Sequence, residues 1–414
     1  MHQLSAEAVR RRFLVLTALR WLPVGLLFPL LALLPIDRGL TLSQVGLAFA
    51  VQGVVVLALE LPTGGLADAM GRRPVLLLAG VIGLGSLGLM FFADTFAAFA
   101  VSYGLQGVYR ALDSGPLEAW FVDSSLEADS EAPIERGLSA AGVVTGVSIS
   151  AGSLLGGGLI ALGGVGPVEA LAVPIVVALL VKIVDLVAVA LLVREARPAR
   201  GTASAARAAL DTPKAIADGV RLLRHSPVLL SIVAVELFWG FGMVAYEGLF
   251  PMRLAELLAD TQRAAVITGP AASAAWLASA AGAACVPWLG RRYGMARTAM
   301  ILRVLHGATV ALMGLFAGVI GVVIGYLAGY TIHGAAGPAH MTLLHRQVTG
   351  AVRATAVSLD SMVSQPAGAL GAVALTALAD GTSVSVAILV GAAVLAAATP
   401  LYLPAFRQER DRHA

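Results

Sequence analysis

Long apolar runs recur along the whole chain, and short polar segments separate them. A helix needs roughly 20 consecutive apolar residues to cross the hydrocarbon core of a bilayer, where it must satisfy its own backbone polar groups. The pattern therefore predicts an all-α membrane protein with twelve transmembrane helices. The predicted spans cover residues 13–35, 42–66, 75–92, 96–122, 138–162, 171–193, 228–250, 266–289, 298–315, 319–344, 354–378 and 384–403.

The longest polar segment divides these spans into six plus six. We predict an N-terminal six-helix bundle over residues 1–193, a cytoplasmic linker over 194–226 and a C-terminal six-helix bundle over 227–414, the two bundles being pseudo-symmetric. In the linker, Thr212 and Pro213 form a good helix start, and apolar residues follow at helical spacing. This segment is either a short amphipathic helix on the membrane surface or a solvated linker.

The composition agrees with a membrane protein. The chain is 58% hydrophobic and only 13% charged, whereas soluble domains carry about 25% charged residues. The single cysteine, Cys285, excludes an intramolecular disulfide. Most arginines fall in segments on one side of the predicted membrane, and the opposite loops hold Arg38, Arg253 and Arg263. Positive charge marks the cytoplasmic side, so we expect a bacterial inner-membrane protein with both termini in the cytoplasm.

The polar turns after spans two and eight echo each other. Leu66 precedes Gly71 by five residues, Leu289 precedes Gly294 by five, and paired arginines accompany each turn. The first copy, from Gly64 to Arg73, reads GGLADAMGRR. It resembles the signature of the major facilitator superfamily and stands between spans two and three, where that family has it.

The resemblance implies two six-helix halves that rock about a central site. It also implies a gating motif, in which Asp68 faces the start of helix eleven and Arg72 reaches Asp123 at the end of helix four. A carboxylate is stabilised at a helix N-terminus, and a charge network that breaks and re-forms can hold a two-state gate. The gating residues are Gly64, Asp68, Gly71, Arg72, Arg73 and Asp123.

Two further segments resemble motifs of the same family. Helix four, around Arg110, looks like the arginine-containing motif of proton-coupled members. Helix five is similar to the antiporter motif, with Ser153 where that motif has proline. The residues that carry it are Gly152, Ser153, Gly156 and Gly157. The alternative is that these glycines simply allow close helix packing.

Charged residues at membrane depth are costly and therefore mark candidate sites. Arg110 and Asp113 lie three residues apart, on one helix face, and we expect them to pair. Glu236 lies about 12 Å inside helix seven by helical rise, beside aromatic residues. The proton-coupling candidates are Asp113, Glu236, Arg110 and Glu118. Glu247, near the outer end of the same helix, is expected to be interfacial.

Other intramembrane charges are assigned structural partners. We expect Lys182 and Asp185, three residues apart on one helix, to pair, and Arg20 and Glu60 lie at similar depth and are candidate partners. Arg303 and Asp360 are a further candidate pair that no spacing supports. The substrate-cavity candidates, on helices that line the cavity in the resembled family, are Arg20, Trp21, Tyr103, Trp239, Met243, Tyr246 and His333. His333 and His340 are seven residues apart, a spacing that does not favour a shared metal, and no metal site is predicted.

These features predict a secondary active transporter that exports a small hydrophobic or amphiphilic compound in exchange for protons. Proton-coupled uptake of a metabolite and a non-transporting membrane receptor are the alternatives. The chain has no phosphate-binding loop of the Walker type, so we expect no ATP hydrolysis. It has no soluble insert long enough for a catalytic domain, so we expect no enzyme activity. The predicted partners are a small-molecule substrate, protons and lipids. No cofactor beyond the proton gradient and no nucleic acid is expected, and the protein is expected to be a monomer.

Overall fold

A computed structural model describes residues 5–194, 221, 223, 224, 226–348 and 352–411. Residues 60–62, 64, 65, 67–69, 352–355 and 358 are described by their backbone alone. The predicted linker helix at Thr212 lies outside these residues. The α-helices are α1 (Ala6–Leu27), α2 (Leu33–Asp37), α3 (Leu42–Met70), α4 (Arg72–Phe92), α5 (Phe96–Asp113), α6 (Pro116–Ala128), α7 (Ile134–Ala161), α8 (Val173–Leu192), α9 (Pro227–Glu247), α10 (Leu249–Leu258), α11 (Thr261–Tyr293), α12 (Met295–Leu315), α13 (Val319–Gln347), α14 (Val352–Gly381), α15 (Val384–Ala397) and α16 (Leu403–Asp411).

Within this described part, the structure is helical throughout, with 3₁₀ turns at Ala170–Ala172 and Thr399–Tyr402. A single bridge between Val165 and Val168 is the extent of its β structure. Polar side chains mark several helix starts. Thr95 accepts a hydrogen bond from the backbone of Ala98 at the start of α5, and Ser383 does the same for Val386 at α15. The predicted all-α class is confirmed.

The two echoing turns have the same backbone conformation. Gly71, between α3 and α4, has φ 91° and ψ 155°. Gly294, between α11 and α12, has φ 79° and ψ 154°. Side chains with a Cβ are disfavoured at such positive φ values, so glycine is needed at both positions. The repeat read from the sequence therefore corresponds to a repeated turn.

Ten helical segments among the described residues are long and apolar enough to cross a membrane. The other two predicted spans, residues 13–35 and 96–122, fall on α1 with α2 and on α5 with α6. The span predicted over 96–122 is interrupted, because α5 ends at Asp113 and α6 begins at Pro116 after Gly115, whose φ is 92°. A break at Gly248 likewise separates α9 from α10.

Helices α3 and α14 pack against each other, as do α7 and α11, and these contacts join the N-terminal helices (α1–α8) to the C-terminal helices (α9–α16). At one end, which we call the distal end, Asp380 accepts hydrogen bonds from the backbone of Leu42 and Ser43. The opposite end, which holds Arg72 and Glu409, is called the terminal end.

The hydrophobic cores differ between the two ends. The distal end has one shared core, in which Leu30 and Tyr103 of the N-terminal helices cluster with Tyr246 and Leu375 of the C-terminal helices. At the terminal end the N-terminal helices have a core of their own around Trp120. The C-terminal helices have another core, which includes Leu229 and Ala339. The described residues are thus sealed together distally and form separate cores terminally.

Candidate functional site

The predicted ion pair of the signature turn is present. The Arg72 guanidinium lies 2.5 Å from the Asp123 carboxylate and also donates to the carbonyl of Ala119 at 2.8 Å. Arg73 donates to the carbonyl of Ala190 on α8 at 2.6 Å. Arg72 and Arg73 therefore tie the start of α4 to α6 and α8. Gly64 and Asp68 are described by their backbone alone, so the contact expected of the Asp68 side chain stays a prediction.

Asp113 pairs with Arg20 of α1. Arg110, the partner predicted from the spacing on helix four, does not pair with it. Arg20 Nε donates to Asp113 Oδ2 at 3.0 Å, and a second guanidinium nitrogen faces Oδ1. Arg20 is buried. Its expected partner, Glu60, lies outside the described side chains. Helix periodicity identifies neighbours within one helix, whereas this pair forms between two helices whose approach depends on packing.

A second residue connects this pair to α8. Tyr109 donates to Asp113 Oδ2 at 3.3 Å, and its hydroxyl accepts from Lys182 Nζ at 2.5 Å. Lys182 also lies 3.5 Å from Asp185, which is the ion pair expected there. Asp113 is therefore held by two side chains from two directions, and sequence analysis had not included Tyr109 in the site.

The other candidates of the N-terminal helices divide by exposure. Arg110 and Glu118 are exposed, and Trp21 is exposed at 39%. Among the described residues Arg110 forms no ion pair, since Asp113 is paired with Arg20. Tyr103 does not reach Asp113, because it is buried in the distal core, where it donates a hydrogen bond to the carbonyl of Leu31.

A cluster of buried polar residues occupies the C-terminal helices. We call Glu236, Arg303, His340, Asp360 and Tyr402 the polar cluster; they come from α9, α12, α13, α14 and the last 3₁₀ turn. All five side chains are buried. His340 Nε2 lies 3.1 Å from Asp360 Oδ1 and 3.6 Å from Glu236 Oε1. His340 Nδ1 lies 2.8 Å from the Tyr402 hydroxyl.

Arg303 pairs with Glu236 at 3.8 Å, and the candidate pair between Arg303 and Asp360 is not formed. Asp360 takes His340 as its partner. Sequence analysis had recognised Glu236 but had not joined His340 or Tyr402 to it. A usable signal existed, since Glu236, Arg303, His340 and Asp360 are all ionisable residues within apolar spans. The order of the spans does not say which of them meet.

Three side chains of the polar cluster also have the chemistry of metal ligands. One ligand atom each from Glu236, His340 and Asp360 lies within 4.8 Å of the others. Arg303 adds a positive charge beside Glu236, and that charge opposes a divalent cation. The cluster contains two carboxylates, one guanidinium and one imidazole, which suits the exchange of a proton.

An aromatic group lies nearer the distal end. The Trp239 indole stacks on the His333 imidazole, with ring centroids 5.9 Å apart and planes 11° apart. The Tyr246 hydroxyl lies 3.1 Å from His333 Nδ1, and the Tyr330 hydroxyl donates to Glu247 at 3.3 Å. Trp239, His333 and Glu247 are half-buried. Met243 is half-buried too and packs on the distal core.

The helix-five glycines make close contacts between helices. A Cβ at Gly152 would lie 2.4 Å from the carbonyl oxygen of Leu22 on α1, and one at Gly156 would lie 2.5 Å from that of Leu26. Gly157 faces Gly269 of α11. Ser153 is fully buried beside them. This geometry fits the close-packing interpretation of the motif, and the antiporter role stays a prediction.

The apolar helices and the charged groups between them define a multi-pass membrane protein. A sequence profile of the Major Facilitator Superfamily matches residues 13–372. The chain belongs to this superfamily, which makes it a membrane transporter and not an enzyme. The comparison with curated proteins found no match to this sequence.

Solved transporters share the fold. A variant of the nucleoside transporter NupG is 13% identical, with a TM-score of 0.79 over 96% of this chain and 99% of that one. A bacterial homologue of the human lysosomal transporter Spinster, in an inward-facing and unoccupied conformation, is 15% identical. Its TM-score is 0.72 over 98% of both chains. At these identities the likeness concerns the fold alone.

Proposed function

We propose that this protein is a secondary active transporter that exports a small amphiphilic compound in exchange for protons. The observation that carries the proposal is the polar cluster, in which two carboxylates, Glu236 and Asp360, converge on one nitrogen of His340. Charges inside a membrane are expensive, and they mark proton relays and substrate paths in transporters.

Charge balance makes the polar cluster sensitive to a single proton. With Glu236 and Asp360 ionised and Arg303 positive, the cluster is neutral only when it holds one further proton, shared with His340. Release of that proton leaves one uncompensated negative charge among buried groups, which is costly at low dielectric. A conformation that hydrates the cluster then becomes favourable, so proton binding and release can drive the change of conformation.

The proposed architecture is twelve spans in two six-helix bundles. The separate terminal-end cores and the shared distal core support this layout, because they allow the bundles to part at one end while they stay closed at the other. We place both termini in the cytoplasm of a bacterial inner membrane, as the arginine distribution indicates. The closed distal end then faces outward. The protein acts as a monomer and uses the proton gradient.

The substrate side of the proposal rests on the aromatic group around His333. The Trp239–His333 stack offers aromatic surface suited to a planar compound. One solved relative is a nucleoside transporter, and a nucleoside also carries a planar ring, so nucleosides belong among the compounds to be tried. Uptake of such a metabolite is the alternative to export.

The test compares coupling with simple exchange in proteoliposomes. Compounds that raise the unfolding temperature of the purified protein are carried forward as substrates. In Glu236→Gln, His340→Gln and Asp360→Asn, we expect pH-gradient-driven accumulation to be lost while exchange of labelled for unlabelled substrate persists. The exposed-site variant Glu127→Gln is the matched control and should keep both activities.

Measurements in the same vesicles show the direction of substrate transport. An outward proton gradient and an inward one are applied in turn to vesicles of known orientation, and export predicts that substrate moves opposite to protons. Movement together with protons would establish uptake. Full gradient-driven transport in all three variants would show that the polar cluster does not couple.

A further inference from the structure

Glu409, on the last helix α16, holds three helix ends together at the terminal end. Its Oε1 accepts hydrogen bonds from the backbone N–H of Met295, at 3.1 Å, and from the guanidinium of Arg346, at 3.0 Å. Its Oε2 accepts from the backbone N–H of Ala296 at 2.9 Å. Met295 and Ala296 begin α12 directly after the Gly294 turn, and Arg346 lies in the last turn of α13. The start of α12 and the ends of α13 and α16 therefore meet at one carboxylate.

Glu409 does not balance the positive charge around it. Four exposed arginines lie within three residues of the groups that meet there: Arg292, Arg297, Arg346 and Arg410. Three residues of chain span roughly 10 Å at most, so the four arginines form one group. Asp411 adds a second acid, 3.7 Å from Arg410. The guanidinium groups still outnumber the carboxylates, and the group is basic.

Arg292 and Arg297 flank the same one-residue turn, because α11 ends and α12 begins at Gly294. Neither forms an ion pair with another described residue. Arg292 lies over the Tyr293 ring, 5.7 Å from its centroid, and Arg297 is in the first turn of α12. A helix start stabilises an anion and not a cation. A phosphate bound at this turn would compensate both guanidinium groups, whose planar forks match its oxygens.

An exposed apolar face leads along α11 to the same turn. Leu277, Ala284 and Trp288 lie at helical spacing and are exposed, and Arg292 follows Trp288 by four residues. The Trp288 ring meets Tyr293 edge-on at 6.5 Å. Exposed tryptophan and tyrosine at the end of an apolar span mark the depth of the lipid headgroups. Acyl chains that lie on this face would bring a headgroup beside Arg292.

We propose that the terminal end of the C-terminal helices binds an anionic phospholipid, whose phosphate is held by Arg292 and Arg297 and whose acyl chains lie on the exposed face of α11. A zwitterionic lipid carries its own ammonium group and so offers the arginines less compensation. Glu409 keeps the helix ends together, which gives the arginines a fixed arrangement. The lipid is a partner of the protein and not its cargo, so this binding goes beyond the proposed transport function.

Two lipids with the same acyl chains test the headgroup preference. Equilibrium binding of radiolabelled dioleoyl phosphatidylglycerol and dioleoyl phosphatidylcholine to the purified, delipidated protein in detergent is measured at low salt. We expect phosphatidylglycerol to bind about tenfold or more tightly, because basic groups at the end of a span attract anionic headgroups. Equal affinities, or tighter binding of phosphatidylcholine, overturn the proposal.

Variants locate the site. Arg292→Gln/Arg297→Gln should weaken phosphatidylglycerol about tenfold or more and leave phosphatidylcholine unchanged. Arg11→Gln/Arg136→Gln removes the same charge from exposed positions of the N-terminal helices and is the matched control, with the preference retained. An equal loss in both variants would show that any surface arginine suffices, and it overturns the assigned site. The wild-type preference remains a test even where a variant fails to fold.

Inorganic phosphate separates a lipid site from a general anion site. It is added at millimolar concentration against sodium chloride of equal ionic strength. Bound phosphatidylglycerol should remain in place, because a free anion gains nothing from the apolar face of α11. Displacement by phosphate but not by chloride would establish a phosphate site without a lipid requirement, and it overturns the proposed partner.

Discussion

Asp113 illustrates how a single residue acquires its role from three helices. Arg20 approaches it from α1, and Tyr109 of its own helix donates to it and accepts from Lys182 of α8. The ion pair is protected from solvent on the arginine side, where exposure is 6%, and is partly open on the aspartate side, where exposure is 21%. An arginine buried to this degree depends on its counter-charge.

We expect Asp113→Asn to destabilise the protein by about 3 kcal/mol, the lower part of the range for breaking a buried ion pair, because Arg20 then keeps a buried charge without its partner. The unfolding temperature in detergent measures this. The double variant Arg20→Gln/Asp113→Asn should recover part of the loss, since it removes both charges. Strictly additive effects of the two changes would contradict a direct coupling between these residues.

Residue chemistry was readable from the sequence, but pairing was not. Asp113, Arg20 and Glu236 were all recognised as charges at membrane depth, yet Asp113 was assigned to Arg110, and the candidate partner of Arg303 was Asp360. The actual partners lie on helices far apart in the chain, as with Arg20 and Asp113 or Glu236 and Arg303. Periodicity gives the face of one helix, and only packing brings two such faces together.

At the scale of elements, α1 and α7 approach closely along the helix-five motif. Gly25 on α1 and Gly152 on α7 face each other, and a Cβ on either would come within 2.9 Å of the other glycine's Cα or its neighbouring backbone. Small residues permit such backbone approach, and in a membrane, close packing replaces the hydrophobic effect as the force between helices.

We expect Gly152→Ala to lower stability by about 1–3 kcal/mol, because the added methyl would overlap backbone that cannot move aside as a flexible side chain could. The matched control is Gly146→Ala on the same helix, where a Cβ meets nothing within 4 Å. Unfolding temperatures of the two variants are compared. If Gly146→Ala were as damaging as Gly152→Ala, close packing at Gly152 would not explain the effect, because alanine by itself favours a helix more than glycine does.

The elements themselves were largely predictable. Spans of apolar residues identified the helices, and the repeated glycine turns at Gly71 and Gly294 were visible as an echo in the sequence. The breaks were not anticipated. Gly115 before Pro116 stops α5 inside an apolar run, and a hydropathy pattern averages over such a position.

At the scale of the whole molecule, the distal end is closed by polar contacts as well as by the shared core. Asp380 of α14 accepts from two backbone groups at the start of α3, and Thr261 of α11 donates to Asp37 of α2 at 2.6 Å. Each contact joins an N-terminal helix to a C-terminal one. Alternating access requires that these contacts break.

We expect a covalent link at this end to arrest transport. In a Cys285→Ser background, Asp37→Cys/Thr261→Cys is treated with a short bifunctional thiol reagent, and substrate flux in proteoliposomes is measured before and after. Linked protein should lose flux by about tenfold or more while it still binds substrate, because the terminal end stays accessible. The single-cysteine variants under the same treatment are controls. Undiminished flux in the linked protein would mean that the distal end need not open.

The sequence by itself determined that the chain is a helical membrane protein, which superfamily it belongs to, and which ionisable residues lie at membrane depth. It could do so because apolar length, charge distribution and the Gly64–Arg73 turn are local properties of the chain. Only the tertiary structure decided that Arg20 meets Asp113 and that His340 joins Glu236 to Asp360. These contacts depend on the relative rotation and crossing of helices distant in the chain, which are fixed by the packing of the whole molecule.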